Sequence, residues 1–524
     1  MTRNSFHRRL TAFGYSILSV FIFTFQSGQT RAAPQDDRYL QAVQAYADTM
    51  LEKGRDRWGE VQTPLFAVTL NRSNYELFGA DKGEVHQVLG IPVLYGAKMW
   101  GASANPPVNV GLYRVLYGLT DVTGEAKYAQ AADEAMRYFW THCQDPYSGL
   151  MYWGEEMAWH LTKDMSCTYI DGWRLHEPFP YPFFEHCYSL GQPVQTALFR
   201  YANGLWAYTF IDHEKALWNR HYHIDEWPKG ARGGTEYPRL VGQFCYNWAL
   251  AYAHSTVPLD AKDSPGEAHF QTAMLEAITS VVENSLRRCA DNGALPAKSG
   301  SDQLWTVQNM FMMRKLHQTA ERVPEPLAEK TRELIARQRA VMLDKLAHPM
   351  TPEQGYVSFA NVHTLEPGRP GAKKPTDYST LWTMGWAGTA GIALELLGYD
   401  EAVDGDPEIR ALALQGARLY LKEESPAYPE NMRVDNLAYT LELMVRAYEV
   451  SGDKVFLDKA RALAADAMEL FFGGTSPLPR ASSGKGGLRK LPGDCYAAGT
   501  YDDVRGGGGD DLMHALLKLH KALP

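Results

Sequence analysis

The chain is short of several things that would have pointed elsewhere. Its six cysteines (Cys143, Cys167, Cys187, Cys245, Cys289, Cys495) are widely spaced, and no CxxC motif organises them. Long alternating runs of Val, Ile and Thr are rare, so strands are not the main element. Basic residues do not outnumber acidic ones: 52 Lys and Arg stand against 61 Asp and Glu, a net charge of −9. That balance excludes nucleic acid and anionic membrane surfaces as natural partners, and an acidic substrate must be drawn to a local positive cluster. Beyond residue 25 no segment reads as a membrane span, and no stretch has the composition of a linker between independent domains.

The first 33 residues have a character of their own. Arg3, Arg8 and Arg9 precede an apolar run from Ala12 to Phe25, and a polar segment then ends in Thr30-Arg31-Ala32-Ala33. This is the three-part form of a secretory signal peptide, with an uncleaved N-terminal anchor as the alternative. No lipobox-like cysteine follows it. The expectation is an exported protein, periplasmic or secreted, whose residues 34–524 form a single catalytic domain without a membrane span. Loss of residues 1–33 removes four arginines and no acids, leaving 48 basic against 61 acidic residues and a charge of −13. Export permits disulfides, and Cys143, Cys167 and Cys187 are near enough in sequence to pair, but a core this large does not need them.

With 45% hydrophobic residues the chain can bury a large core, yet it is too long for an ordinary domain of roughly 100–200 residues unless the fold closes on itself. Its apolar patterns recur at helical spacing. Leu112, Val115, Leu116 and Leu119 make one helix. After a turn at Val122-Thr123-Gly124-Glu125, Tyr128, Ala131, Ala132, Ala135, Met136 and Phe139 make a second. Residues 437–472 repeat the plan around Val450-Ser451-Gly452-Asp453. Further helices are predicted over 193–209, 241–255, 267–288, 305–320, 325–346, 379–397, 407–422 and 511–522, with Leu381 to Trp386 on an inner helix packed closely at Gly385. Similar hairpins this far apart imply a ring of them. The expected fold is all-α, an α/α toroid of six or seven helical hairpins whose long Gly/Pro-rich loops carry the site. The run Gly506 to Gly509 could cradle an anion, but it lacks a P-loop's GK[ST] and preceding strand, which favours a loop with Asp510 or Asp511 as helix N-cap.

The chemistry concentrates between Trp153 and Asp225. Five of the 16 histidines fall between His176 and His223, interleaved with carboxylates, arginines and tryptophans. Glu and His ligands on loops suit Mn²⁺ or a similar transition ion better than Ca²⁺. Any one of these histidines is more often an ordinary hydrogen-bonded residue; the cluster as a set favours function. Trp153 and Trp218 offer rings for sugar stacking, though core packing is the commoner use of tryptophan here. Arg174, Arg232, Arg239 and Arg314 are candidates for binding uronate carboxylates, against surface salt bridges as the plainer reading.

Short motifs in this region resemble the periplasmic pectate lyases of polysaccharide lyase family 2. Asp56-Arg57-Trp58-Gly59 with Gln62-Thr63-Pro64-Leu65-Phe66 looks like that family's opening. Leu150-Met151-Tyr152-Trp153-Gly154 looks like its Tyr-Trp-Gly-Gly-His, His176-Glu177 like its His-Glu, and Trp218-Asn219-Arg220-His221 like its Arg-His pair. The resemblance implies a divalent metal held by Glu156, Glu177 and His221, with Arg220 as the Brønsted base. It departs from the family at Glu156, which stands where a histidine is expected; His160, one helical turn further if the segment is helical, is the other candidate ligand. The implied reaction is β-elimination on an acidic polysaccharide or oligosaccharide, the metal on the uronate carboxylate making the C5 proton acidic. Arginine is a demanding base, since its pKa lies above about 12 and guanidinium has no lone pair. Arg220 as a carboxylate clamp therefore stays open, with His223 or Tyr222 as the base. Two other functions also stay open: a glycoside hydrolase using carboxylates such as Glu156 and Glu177 as acid and base, and a non-catalytic polysaccharide-binding protein.

Overall fold

Helical spacing becomes helix almost wherever the sequence shows it. In the computed structural model the described residues are 37–77, 83–88, 90–96, 101–154, 157–168, 181–218, 238–255, 267–298, 300–346, 350–351, 354–368, 378–379, 381–382, 387–421, 432–482, 494–499 and 507–524. Among them are fourteen helices. The first seven are α1 (Arg38–Thr49), α2 (Val110–Thr123), α3 (Ala126–His142), the single turn α4 (Phe184–Cys187), α5 (Gln192–Thr209), α6 (Pro238–His254) and α7 (Glu267–Arg288). The second seven are α8 (Thr306–Ala320), α9 (Leu327–Val341), α10 (Thr389–Ala402), α11 (Pro407–Leu421), α12 (Val434–Ser451), α13 (Lys454–Phe471) and α14 (Gly509–Ala522). No helix among the described residues is long and apolar enough to cross a membrane.

The two hairpins read from the sequence are built alike. Gly124 ends α2 at φ +75° and Gly452 ends α12 at φ +70°, each donating its N–H back into the last turn, to Thr120 and Tyr448. This left-handed cap suits glycine, which has no Cβ to clash. After each turn a helix returns with one buried face: Ala131, Ala132, Ala135, Met136 and Phe139 in α3, and Ala460, Leu463, Ala464, Ala467 and Phe471 in α13.

The helices pack in an order that follows the chain. Even-numbered helices touch one another in succession: α4 on α6, α6 on α8, α8 on α10, α10 on α12, α12 on α14, and α14 back on α2. Tyr117 and Tyr113 of α2 meet Phe183, the residue that opens α4, with ring centroids 5.7 and 5.9 Å apart. Odd-numbered helices pack behind their partners, α3 on α2, α7 on α6, α9 on α8, α11 on α10 and α13 on α12. Close crossings are made by glycine. A Cβ on Gly242 of α6 would lie 2.8 Å from the Met312 Cα on α8, and one on Gly111 of α2 would lie 2.6 Å from the Asp510 Cβ on α14.

Three expectations need correction. The fold is helix-rich but not all-α: a five-stranded sheet runs β2 (Glu84–Val88), β3 (Ile91–Tyr95), β6 (Met165–Thr168), β5 (Met157–His160), β4 (Ser103–Ala104). Only its β3–β6 pair is parallel. Three antiparallel pairs add β1 (Thr69–Asn71) with β11 (Cys495–Ala497), β7 (Phe210–Asp212) with β8 (Leu217–Trp218), and β9 (Gln303–Trp305) with β10 (Phe359–Asn361). Second, the helix expected from residue 379 begins only at Thr389; Trp382 sits at φ +60°, outside helical space, while Gly385 falls outside the described residues. Third, neither Asp510 nor Asp511 caps α14. Gly508 holds the cap position at φ +115°, and Asp510 turns inward to accept hydrogen bonds from Tyr46 and Tyr496. The six cysteines are all free, five of them buried.

Candidate active site

The resemblance motifs begin in a loop with a structural role. The Asp56 carboxylate accepts from the Thr63 hydroxyl at 2.8 Å and from the N–H groups of Thr63 and Trp58 at 3.2 and 3.3 Å. The loop is thus tied by its own side chain. Trp58 Nε1 donates to Glu76 at 2.8 Å.

At Trp153-Gly154 the structure shows what positions the candidate ligand Glu156. Glu155 and Glu156 lie outside the described residues, but both flanks are held by one buried side chain. Asn105 Nδ2 donates to the Gly154 carbonyl at 2.7 Å and to the Met157 carbonyl at 3.3 Å, while its Oδ1 accepts from Gly154 N–H at 3.3 Å. Gly154 has φ +120°, a conformation natural to glycine. Beyond it the chain is extended, not helical, which removes the ground for placing His160 one helical turn from Glu156. His160 ends β5, buried, with its Nδ1 3.2 Å from the Thr162 hydroxyl. At about 3.3 Å per strand residue it is roughly 10 Å along the chain from Met157.

The two tryptophans are in the core. Trp153 is fully buried among Trp140, Tyr181, Tyr201, Phe139 and Phe184, with centroids 5.4 to 5.9 Å away. Trp218 packs on Phe210 at 5.3 Å and Phe244 at 6.0 Å and is 1% exposed. Neither presents an open ring face, so here they are packing residues and not stacking platforms. Arg174, Glu177, Arg220, His221, Tyr222, His223 and Arg232 lie outside the described residues, and the side chain of Arg239 does too. Two other histidines of the stretch make local bonds. His186 Nε2 lies 2.9 Å from Asp133 Oδ1 and 2.8 Å from the Tyr117 hydroxyl, and His213 Nε2 lies 2.9 Å from the Trp206 carbonyl. Among the described residues no three His, Cys, Asp or Glu gather as a metal-binding group.

What the sequence did not reveal is a cavity of about 440 Å³ enclosed by α2, α8, α10, α12 and α14. Charged side chains reach it from all five: Arg114, Arg314 and Lys315, Glu395 and Glu401, Glu442 and Arg446, and Asp511, His514 and Lys518. Three carboxylates are paired, Glu395 with Arg314 at 2.8 Å, Glu401 with Arg446 at 2.8 Å, and Glu442 with Lys518 at 2.6 Å. Burial would raise Glu442, but Lys518, then His514 and Arg114, hold it well below the usual carboxylate range. Burial drives His514 down to about 4, so its imidazole is neutral near pH 7. Lys315 is 6% exposed, donates to Gln318 Oε1 at 2.9 Å and lies 4.1 Å from the centre of the Tyr246 ring. Burial, with Arg314 next to it, lowers its ammonium to about 7. The signal for this site was present in the sequence as single charges inside apolar helical runs: Arg114 between Tyr113 and Val115, Glu395 between Leu394 and Leu396, Glu442 between Leu441 and Leu443. Tyr181 and Pro182 also line the cavity, four and five residues after Glu177.

The chain is similar in structure to several solved proteins at low identity. Cellobiose 2-epimerase from Bacillus thermoamylovorans is 9% identical, with a TM-score of 0.46 over 93% of this chain and 98% of that one. An α-mannanase from Bacteroides thetaiotaomicron is 9% identical, at 0.42 over 92% and 95%. An unsaturated glucuronyl hydrolase from a Bacillus species is 10% identical, at 0.40 over 92% and 96%. In sequence, residues 99–232 match the model of the periplasmic pectate lyases, the family that the short motifs resemble.

Proposed function

We propose that the chain is an exported, metal-dependent polyuronide lyase, cleaving a pectate-like acidic polysaccharide by β-elimination on an α/α toroid. The observation that carries this reading is the family match over residues 99–232, which contains Glu156, Glu177, Arg220, His221 and His223. The succession of even-numbered helices returning from α14 to α2 supports the toroid. That the matched family is described as periplasmic supports export.

The donor chemistry fits the implied ion. Glu156, Glu177 and His221 supply two carboxylates and an imidazole, a set suited to Mn²⁺ or a similar ion. Such an ion, when bound, withdraws charge from the uronate carboxylate and acidifies the C5 proton. The protein's own part is to orient and to move the proton. Asn105 fixes the peptides on either side of Glu155-Glu156, and Arg220 takes the C5 proton or clamps the carboxylate while His223 takes it. Arg220 as base requires a site that favours neutral guanidine, through burial and neighbouring positive charge.

The test is release of unsaturated uronate from polygalacturonate, followed by its ultraviolet absorbance. Chelator should abolish the signal and added Mn²⁺ restore it. Glu177→Ala and His221→Ala should each lower the rate by more than about a hundredfold, since even outer partners of metal ligands cost 10–100-fold. Unchanged rates in both variants would sink the assignment.

A further inference from the structure

Resting on the polyuronide reading, we infer that the central cavity is a binding site for a short oligouronide, whose carboxylates are held from opposite sides by Arg114 of α2 and Lys315 of α8. The argument is one of charge left over. Glu395, Glu401 and Glu442 are each taken by a cation of the cavity wall. Among the described residues, Arg114 and Lys315 have no ion-pair partner, although both line the same space. A buried cation is costly without a counter-charge, and a cavity offering two of them is a site for an anion. The two come from helices that are not neighbours in the packing order, so one carboxylate cannot satisfy both as simply as two carboxylates on successive sugar rings. The volume of about 440 Å³ falls within the roughly 300–1,000 Å³ of small-molecule sites. Tyr181 and Pro182 join this wall to the segment that carries Arg174 and Glu177, so the cavity continues the proposed reaction site.

Lys315 gives the site a pH signature. The groups around it are Arg314 and Gln318 on its own helix, Arg322 just beyond it, Tyr246 on α6, Glu185 on α4 and Glu395 on α10. Burial weakens its hold on the proton, so it is charged below about pH 7 and loses its charge above. Anion binding at this end should weaken over the same range.

The probe is saturated digalacturonate, titrated calorimetrically into the full chain with chelator present, so that binding is read without turnover. Wild type should bind it, and neutral cellobiose far more weakly. Arg114→Gln and Lys315→Gln should each weaken binding by about tenfold or more, the scale of one charge-assisted hydrogen bond. Arg114→Lys should recover part of the loss. Wild-type affinity should fall between pH 6 and 8, and that of Lys315→Gln should not. Thermal unfolding of each variant separates a lost contact from a lost fold. No binding by wild type, equal binding of cellobiose, or wild-type affinity in both glutamine variants overturns the inference. Digalacturonate binding with these losses, but without unsaturated product from polygalacturonate, would sink the lyase reading and leave the anion site standing.

Discussion

Asn105 is the described residue that bears most directly on the proposed chemistry, because a single amide satisfies both flanks of the Glu155-Glu156 segment. Asn105→Ala leaves two carbonyls and an N–H short of a partner, a loss of about 1–3 kcal/mol for each buried group left bare. We expect lower thermal stability together with a reduced rate of ultraviolet product; unchanged values of both would show that the segment is held by something else. Asp510 offers a second test, through pH. Its Oδ1 accepts from Tyr46 and Tyr496, Oδ2 has no partner among the described residues, and burial raises the carboxyl to about 7. An unfolded aspartate titrates near 3.9, so between about pH 4 and 7 the folded chain holds the extra proton. The stability owed to Asp510 is therefore full below pH 4 and lost as pH rises through 7. Asp510→Asn mimics the protonated state and should remove that slope, measured as the difference in melting temperature from wild type across pH 4 to 8. A difference that does not change with pH would contradict the assignment.

At the scale of elements, glycine decides how near the helices come. Gly242→Val would force a side chain onto the Met312 backbone of α8 and should cost about 1–3 kcal/mol, read as a lower urea midpoint with an unchanged slope. Full stability in that variant would mean that α6 and α8 have room to separate. The hairpins were legible because they state themselves locally: an apolar stripe every three or four residues, then Thr123-Gly124-Glu125 or Ser451-Gly452-Asp453, with glycine where the backbone turns left-handed. The sheet was not legible, because its strands are two to five residues long and β3 finds its parallel partner β6 some seventy residues later. Strands this short carry too few alternations to stand out from a loop. Leu381-Trp382 misled for the opposite reason. Apolar residues at helical spacing are also what a buried turn looks like, and Trp382 at φ +60° belongs to one, packed edge-on against Tyr420 at 4.9 Å.

At the scale of the whole molecule, the candidate site divides into two parts of unequal legibility. The ligand and base candidates between Glu156 and His223 stood out because histidine, glutamate and arginine cluster along a short piece of chain. The cavity did not, because its charges lie four hundred residues apart from Arg114 to Lys518, one or a few on each of five helices, and only packing assembles them. The same distribution resolves a question of charge. A chain with a net charge of −9 can still receive a polyanion where its surplus cations face one enclosed space. The measurement that tests the account most directly is the ratio of unsaturated uronate to new reducing ends as the protein degrades polygalacturonate. β-Elimination yields one ultraviolet-absorbing end for every bond broken, so the expected ratio is one to one, falling to no product with chelator. Reducing ends that accumulate without absorbance would mean hydrolysis, and would contradict the account.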